Sequence, residues 1–121
     1  MSLTIEEQVF KQGATAPKIG LTVTGLDVDP TSATATFYMN TREVVKADGS
    51  GALIATGSAI ISDVALVNSL YSFIVTYSWA SGDTNTLGEY YGEFKIDLGS
   101  TGILKLPQNT YIPIRIVNSV G

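Results

Sequence analysis

The sequence contains no cysteine and no histidine. The first absence excludes disulfides, thiol nucleophiles and cysteine-based zinc sites. The second excludes a Ser/His/Asp triad, a histidine general base and the common imidazole metal sites. Charge is also scarce: only 15% of residues are Asp, Glu, Lys or Arg, against roughly a quarter in ordinary domains. The 7 basic residues are outnumbered by 11 acidic ones, for a net charge of −4. Such a chain is a poor partner for nucleic acid or for an anionic membrane surface. No basic stretch followed by an apolar run opens the sequence, so a secretory leader is not expected. No segment approaches the roughly 18 apolar residues of a membrane span. The longest apolar cluster, Ala59 to Leu70, is interrupted by Ser62, Asp63, Asn68 and Ser69.

What is present is a chain of 121 residues, the length of one domain. A chain of that size buries roughly two thirds of its unfolded surface, enough for a core without staples. Period-two alternation dominates it. Ala33, Ala35, Phe37 and Met39 alternate with Thr34, Thr36, Tyr38 and Asn40. Tyr71, Phe73, Val75, Tyr77 and Trp79 form the strongest strand pattern, with Trp79 expected in the core. Tyr90, Phe94, Ile96 and Leu98 share one face with Gly92, and Glu89, Tyr91, Glu93, Lys95 and Asp97 share the other. Ile112, Ile114 and Ile116 alternate with Tyr111, Pro113, Arg115 and Val117. Weaker strands are expected at Val9–Gln12, Ile19–Thr24, Leu53–Ser62 and Ile103–Leu106.

Turn-forming clusters separate these runs: Asp27 to Pro30, Ala47 to Gly51, Ala80 to Asp83 and Gly99 to Gly102. Two short helical turns are expected, at Ser2–Gln8 with Thr4 as cap and at Asp63–Leu70 with Asp63 as cap. Pro113 cannot donate a ladder hydrogen bond, so the last strand is expected to be partly an edge. Seven or eight short strands with turns between them predict a single all-β antiparallel sandwich spanning residues 1–121.

No set of residues assembles a nucleophile, a base and a group that orients the base. Glu89 and Glu93 lie on one strand face, about 13 Å apart along the backbone, too far for either glycosidase mechanism. Asp27 and Asp29 could offer oxygens to calcium, but the loop is short of ligands, and an Asx-type turn before Pro30 competes with that reading. The glycine clusters at 49–51 and 99–102 lack a P-loop context. The chain is therefore read as non-enzymatic, with no cofactor and no metal. Tyr38 and Tyr91 fall on the outward faces of their strands by alternation, and together with Tyr111 and Arg115 they are the candidate interface residues. Tyr90, at the start of a strand, is placed as a tyrosine corner, a structural role.

Four segments, in order, resemble the N-terminal domain of phage baseplate upper proteins. Trp79-Ala80-Ser81-Gly82-Asp83-Thr84, then Gly88-Glu89-Tyr90, then Glu93-Phe94, is similar to that family's strand ending in Trp, its Gly-Asp-Thr turn and its Gly-x-Tyr-x-x-Glu-Phe strand. Lys11 to Pro17 resembles its opening strand and turn, with Ala14 where an acidic residue is common. Thr31 to Met39 resembles its Thr-rich strand, and Leu106 to Ile112 its closing segment. The family's downstream region, which reaches the receptor-binding protein, has no counterpart in these residues. The resemblance implies an immunoglobulin-like sandwich in a tailed-phage virion, assembled in the bacterial host cytoplasm. It implies other phage structural proteins, or further copies of the chain, as partners. It makes Trp79, Gly82, Asp83, Thr84, Gly88, Tyr90 and Phe94 fold determinants rather than a binding site. The alternatives are a carbohydrate-binding sandwich module, which needs Tyr38, Tyr91 or Trp79 in a coplanar exposed strip, a capsid decoration protein, and a sandwich domain of a secreted adhesin or enzyme.

Overall fold

The computed structural model describes residues 2, 3, 5–47 and 51–120. Among them are nine strands: β1 (Ser2–Leu3), β2 (Gln8–Lys11), β3 (Ile19–Leu26), β4 (Thr34–Thr41), β5 (Ala55–Val67), β6 (Leu70–Tyr77), β7 (Gly88–Asp97), β8 (Ile103–Leu106) and β9 (Ile112–Val117). One short helix, α1 (Arg42–Ala47), follows β4. Alternation in sequence becomes alternation in burial. Ala35, Phe37 and Met39 of β4, Phe73, Val75 and Tyr77 of β6, Tyr90, Phe94 and Ile96 of β7, and Ile112, Ile114 and Ile116 of β9 are all buried.

The strand order is β1-β3-β6-β5-β4-β7-β9-β2, with β8 pairing β7. This is an immunoglobulin-type sandwich: β1, β3, β6 and β5 form one sheet, and β4, β7, β8, β9 and β2 the other. β5 belongs to both. Its first part, Ala55–Ala59, pairs with β4, and its second part, from Ile60 on, pairs with β6. The expected all-β sandwich is present; among the described residues its ladders are antiparallel except β2 with β9, which run parallel. β2 covers Ile114–Val117 of β9 and leaves Ile112 and Pro113 uncovered on that side, where the missing N–H of Pro113 does no harm.

The two sheets meet through aromatic rings. Phe37 of β4 stacks on Tyr77 of β6 with centroids 4.7 Å apart. Trp79 sets its edge contacts against Phe10 at 5.0 Å, Tyr77 at 5.7 Å and Phe37 at 5.8 Å. Such pairs contribute about 0.5–1.5 kcal/mol each beyond area burial. Gly92 makes room for this cluster: a Cβ there would stand 2.8 Å from Ile114 Cδ1 and 3.0 Å from Phe37 Cε1.

Neither expected helical turn forms among the described residues. Ser2 and Leu3 pair with Thr24 and Val23, and Gln8 begins β2; the expected cap Thr4 lies outside the described residues, as do Asp48, Gly49 and Ser50 of the expected 47–51 turn. The segment 63–70 is a hairpin. Asp63 takes a φ of 54° at a bulge where the β5–β6 register slips between Ser62 and Ala65. Asn68 and Ser69 then turn the chain with φ of 52° and 67° between the paired Val67 and Leu70. Positive φ at both positions of a two-residue loop matches the twist of the flanking strands. Asp63, expected as a helix cap, is instead a left-handed position in the strand.

Helix α1 was not expected. The Thr41 hydroxyl accepts the Val44 N–H at 3.3 Å, an N-cap, and Glu43 and Lys46 sit at the ends their charges favour.

Ser69 is a poor occupant of a left-handed position, and glycine adopts it freely. Ser69→Gly is expected to stabilise the protein by up to about 1 kcal/mol, read as a raised urea midpoint with unchanged slope.

Candidate functional site

Segments 12–14 and 77–90 converge on one corner. The chain leaves β6 at Tyr77, and Trp79 turns into the core. Gly82 takes a φ of +95°, which lets Asp83 fold back. The Asp83 carboxylate accepts the Tyr77 hydroxyl at 2.6 Å and the Ala80 N–H at 2.8 Å. Thr84 is buried, and its hydroxyl donates to the Ala14 carbonyl at 2.7 Å. The Gly13 N–H donates to the Thr84 carbonyl at 3.1 Å, and the Gln12 side chain to the Asn85 carbonyl at 2.7 Å. Gly88 then opens β7, and the Tyr90 hydroxyl donates to the Thr86 carbonyl at 2.6 Å. This is the tyrosine corner of an immunoglobulin-type fold. Phe94, two inward positions further on, is fully buried. Segments 12–14 and 77–90, far apart in sequence, are thereby locked together.

Burial pushes the Tyr77 hydroxyl up to about 12, and its bond to Asp83 and that residue's charge add to the shift. Burial also raises Tyr90. The loop at Asp29 forms an Asx-type turn: its carboxylate accepts the Thr31 hydroxyl and the Thr31 N–H, which together lower its pKa. Asp29 is thus engaged within its own turn. No group of three or more metal-capable side chains occurs among the described residues.

Three of the four candidate interface residues share one place. Tyr38, Tyr91 and Tyr111 line a groove of about 330 Å³ on the outward face of β4 and β7, with Val45, Leu53 and Lys105 among its walls. The rings of Tyr91 and Tyr111 stack at 5.0 Å, and the Arg42 guanidinium lies 5.8 Å from the Tyr91 centroid. The Lys95 amine lies 6.0 Å from the Tyr38 centroid. Arg115 stands apart, paired with Glu7 at 3.3 Å, while Arg42 holds Glu89 at 3.1 Å. Both ion pairs are exposed. Trp79 is buried and belongs to no exposed strip.

A second surface went unnoticed in the sequence reading. The consecutive strands β1, β3, β6, β5 and β4 carry one charged residue, Asp63. The charges borne by strands otherwise lie on β7, β8, β9 and β2. On β5 and on the β5–β6 hairpin Ile60, Leu66, Val67 and Leu70 are 58%, 62%, 54% and 39% exposed. The signal was present in the sequence as alternation without charge on the outward positions, but it emerges only when the strands are placed side by side.

In comparisons with known proteins, no family model and no curated sequence matches the chain.

The raised Tyr77 pKa fixes a pH dependence. The folded protein holds this proton more tightly than the unfolded chain, whose value stays near 10. The associated stability is complete below about pH 10 and is lost as pH rises toward 12. Tyr77→Phe is expected to cost about 1 kcal/mol at neutral pH and to flatten that alkaline fall, as read by urea denaturation across the range.

Proposed function

We propose that the chain is a non-enzymatic attachment domain of a tailed-phage virion, seated in the tail or baseplate and docking through an outward face of its sandwich. The observation that carries this reading is the asymmetry of its surface. Five neighbouring strands bear a single charge, and apolar side chains stand exposed on their hairpin. Charge depletion, above all of Lys, Glu and Asp, is the compositional mark of the centre of a protein–protein interface. A rigid sandwich also presents such a face with little ordering cost. The phage setting rests on the resemblance in segments 11–17, 31–39, 79–94 and 106–112, of which the first and third knit into one corner here.

The groove of Tyr38, Tyr91 and Tyr111 suits a sugar less well. Stacking on a sugar needs open, coplanar ring faces, and Tyr91 and Tyr111 use one face each on the other.

The reading is tested on particles released by a culture that carries the gene, using an antibody raised against the purified chain. The chain is expected to co-purify with the particles at a fixed copy number, with immunogold label on the tail or baseplate. Label on the head would make it a capsid decoration protein instead. Purified particles without the chain, while it accumulates in the soluble fraction, would overturn the reading.

A further inference from the structure

We infer that the uncharged outward face of β3, β6 and β5 is the contact for a second copy of this chain, packed sheet against sheet about a two-fold axis. The inference rests on the attachment reading and names the partner for one of its faces. The ladders place the outward residues side by side: Gly20 beside Thr76 and Ile60, and Thr22 beside Ile74 and Ser62. Thr24 lies one step further along β3, and Ala65 beside Ser72 and Val67 beside Leu70 continue the face to the hairpin. These positions are Thr, Ser, Ile, Val, Leu, Ala and Gly, and none is ionisable. Ile60 and Val67, near the two ends of this stretch of β5, stand more than half exposed, at 58% and 54%.

Charge selects the occupant. The chain carries a net charge of −4, so two copies repel through most orientations. The β1-β3-β6-β5 sheet meets its own copy with no ionised groups opposed across its centre. Its one charge, Asp63, sits where β5 has lost β4 as a neighbour, since that ladder stops at Ala59. There it lies on a free sheet edge and guards against strand-to-strand addition. The other sheet carries Glu89, Glu93, Lys95 and Asp97 on β7 and Arg115 on β9, and has no such plane.

Area sets the strength of the contact. Three strands about 4.8 Å apart and about eight residues of roughly 3.3 Å each give a face of about 14 Å by 26 Å. That is roughly 370 Å² in projection, and more once side-chain relief is counted. A standard interface takes about 800 Å² per partner, and smaller ones are reversible. The face therefore supports a weak, concentration-dependent dimer with a two-fold axis, in which each residue contacts its own or a reciprocal counterpart.

The test is the solution mass of the full chain by light scattering over a concentration series. The wild type is expected to rise from 12.8 kDa toward twice that mass over roughly the micromolar to millimolar range. Ile60→Lys and Thr22→Lys, on different strands of the face, set like charges against each other across the axis. Each is expected to weaken the dimer by roughly tenfold or more with an unchanged thermal melt. Ser100→Lys, in an exposed turn outside the face, adds the same charge and is expected to dimerise like the wild type. A wild type that stays at 12.8 kDa to about millimolar, or lysine variants that associate as the wild type does, would overturn the pairing. Either result would leave the attachment reading to the particle experiment, and particles lacking the chain would not by themselves remove a measured dimer.

Discussion

The side chain of Tyr77 holds the molecule together at both of its ends. Its ring stacks on Phe37 and so joins the two sheets across the core, while its hydroxyl reaches out of the core to Asp83. That bond fixes the turn after β6, which places Thr84 where it can clasp Ala14, and the same turn leads into the Tyr90 corner. Sheet packing and loop geometry thus depend on one residue with an apolar body and a polar tip. The neutral phenol is what this arrangement requires, which is why burial and the neighbouring carboxylate act in the same direction on its pKa. Gly57 and Gly92 belong to the same design: a Cβ at Gly57 would meet Tyr77 Cε1 at 3.0 Å, and one at Gly92 would crowd Phe37.

Much of this was legible in the sequence, for identifiable reasons. Strands whose partners lie on both sides of them, such as β4, β6 and β7, alternate cleanly because one face is core and the other water. The corner was legible because Gly82, Asp83 and Tyr90 are residue types with few alternative uses at those spacings. The failures share a different physics. The segment 63–70 runs past the core, so its burial hardly alternates, and its turn is built from Asn68 and Ser69 rather than the usual Asn-Gly. The N-terminal segment contributes only two paired residues to β1, and such short pairing is decided by tertiary contact, not by local pattern. Helix α1 is a single capped turn or so, below the length at which apolar periodicity can be read. Of the interface candidates, alternation placed Tyr38 and Tyr91 outward, but only the strand pairing shows that Tyr111 joins them and Arg115 does not.

The surface that matters most to the functional account was invisible one strand at a time. A strand without charge is ordinary. The four adjacent strands β1, β3, β6 and β5 carry one charge among them, while every other strand charge lies in the sheet of β7 and β9; this divides the sandwich into a polar side and a side suited to dry contact. The immunoglobulin-type order produces this division by bringing β3, β5 and β6 together while sending β7 and β9 to the other sheet. The polar side carries the tyrosine groove, and the other side is the one inferred to meet a second copy.

The most direct test of that division is a nuclear magnetic resonance dilution series on the assigned full chain, which reports where association touches the molecule. The account predicts concentration-dependent shifts clustered at Thr22, Ile60, Val67 and Ile74, with Tyr38, Tyr91 and Tyr111 unmoved. Shifts centred on the tyrosine groove, or none on the β3-β6-β5 face at concentrations where the mass rises, would contradict it.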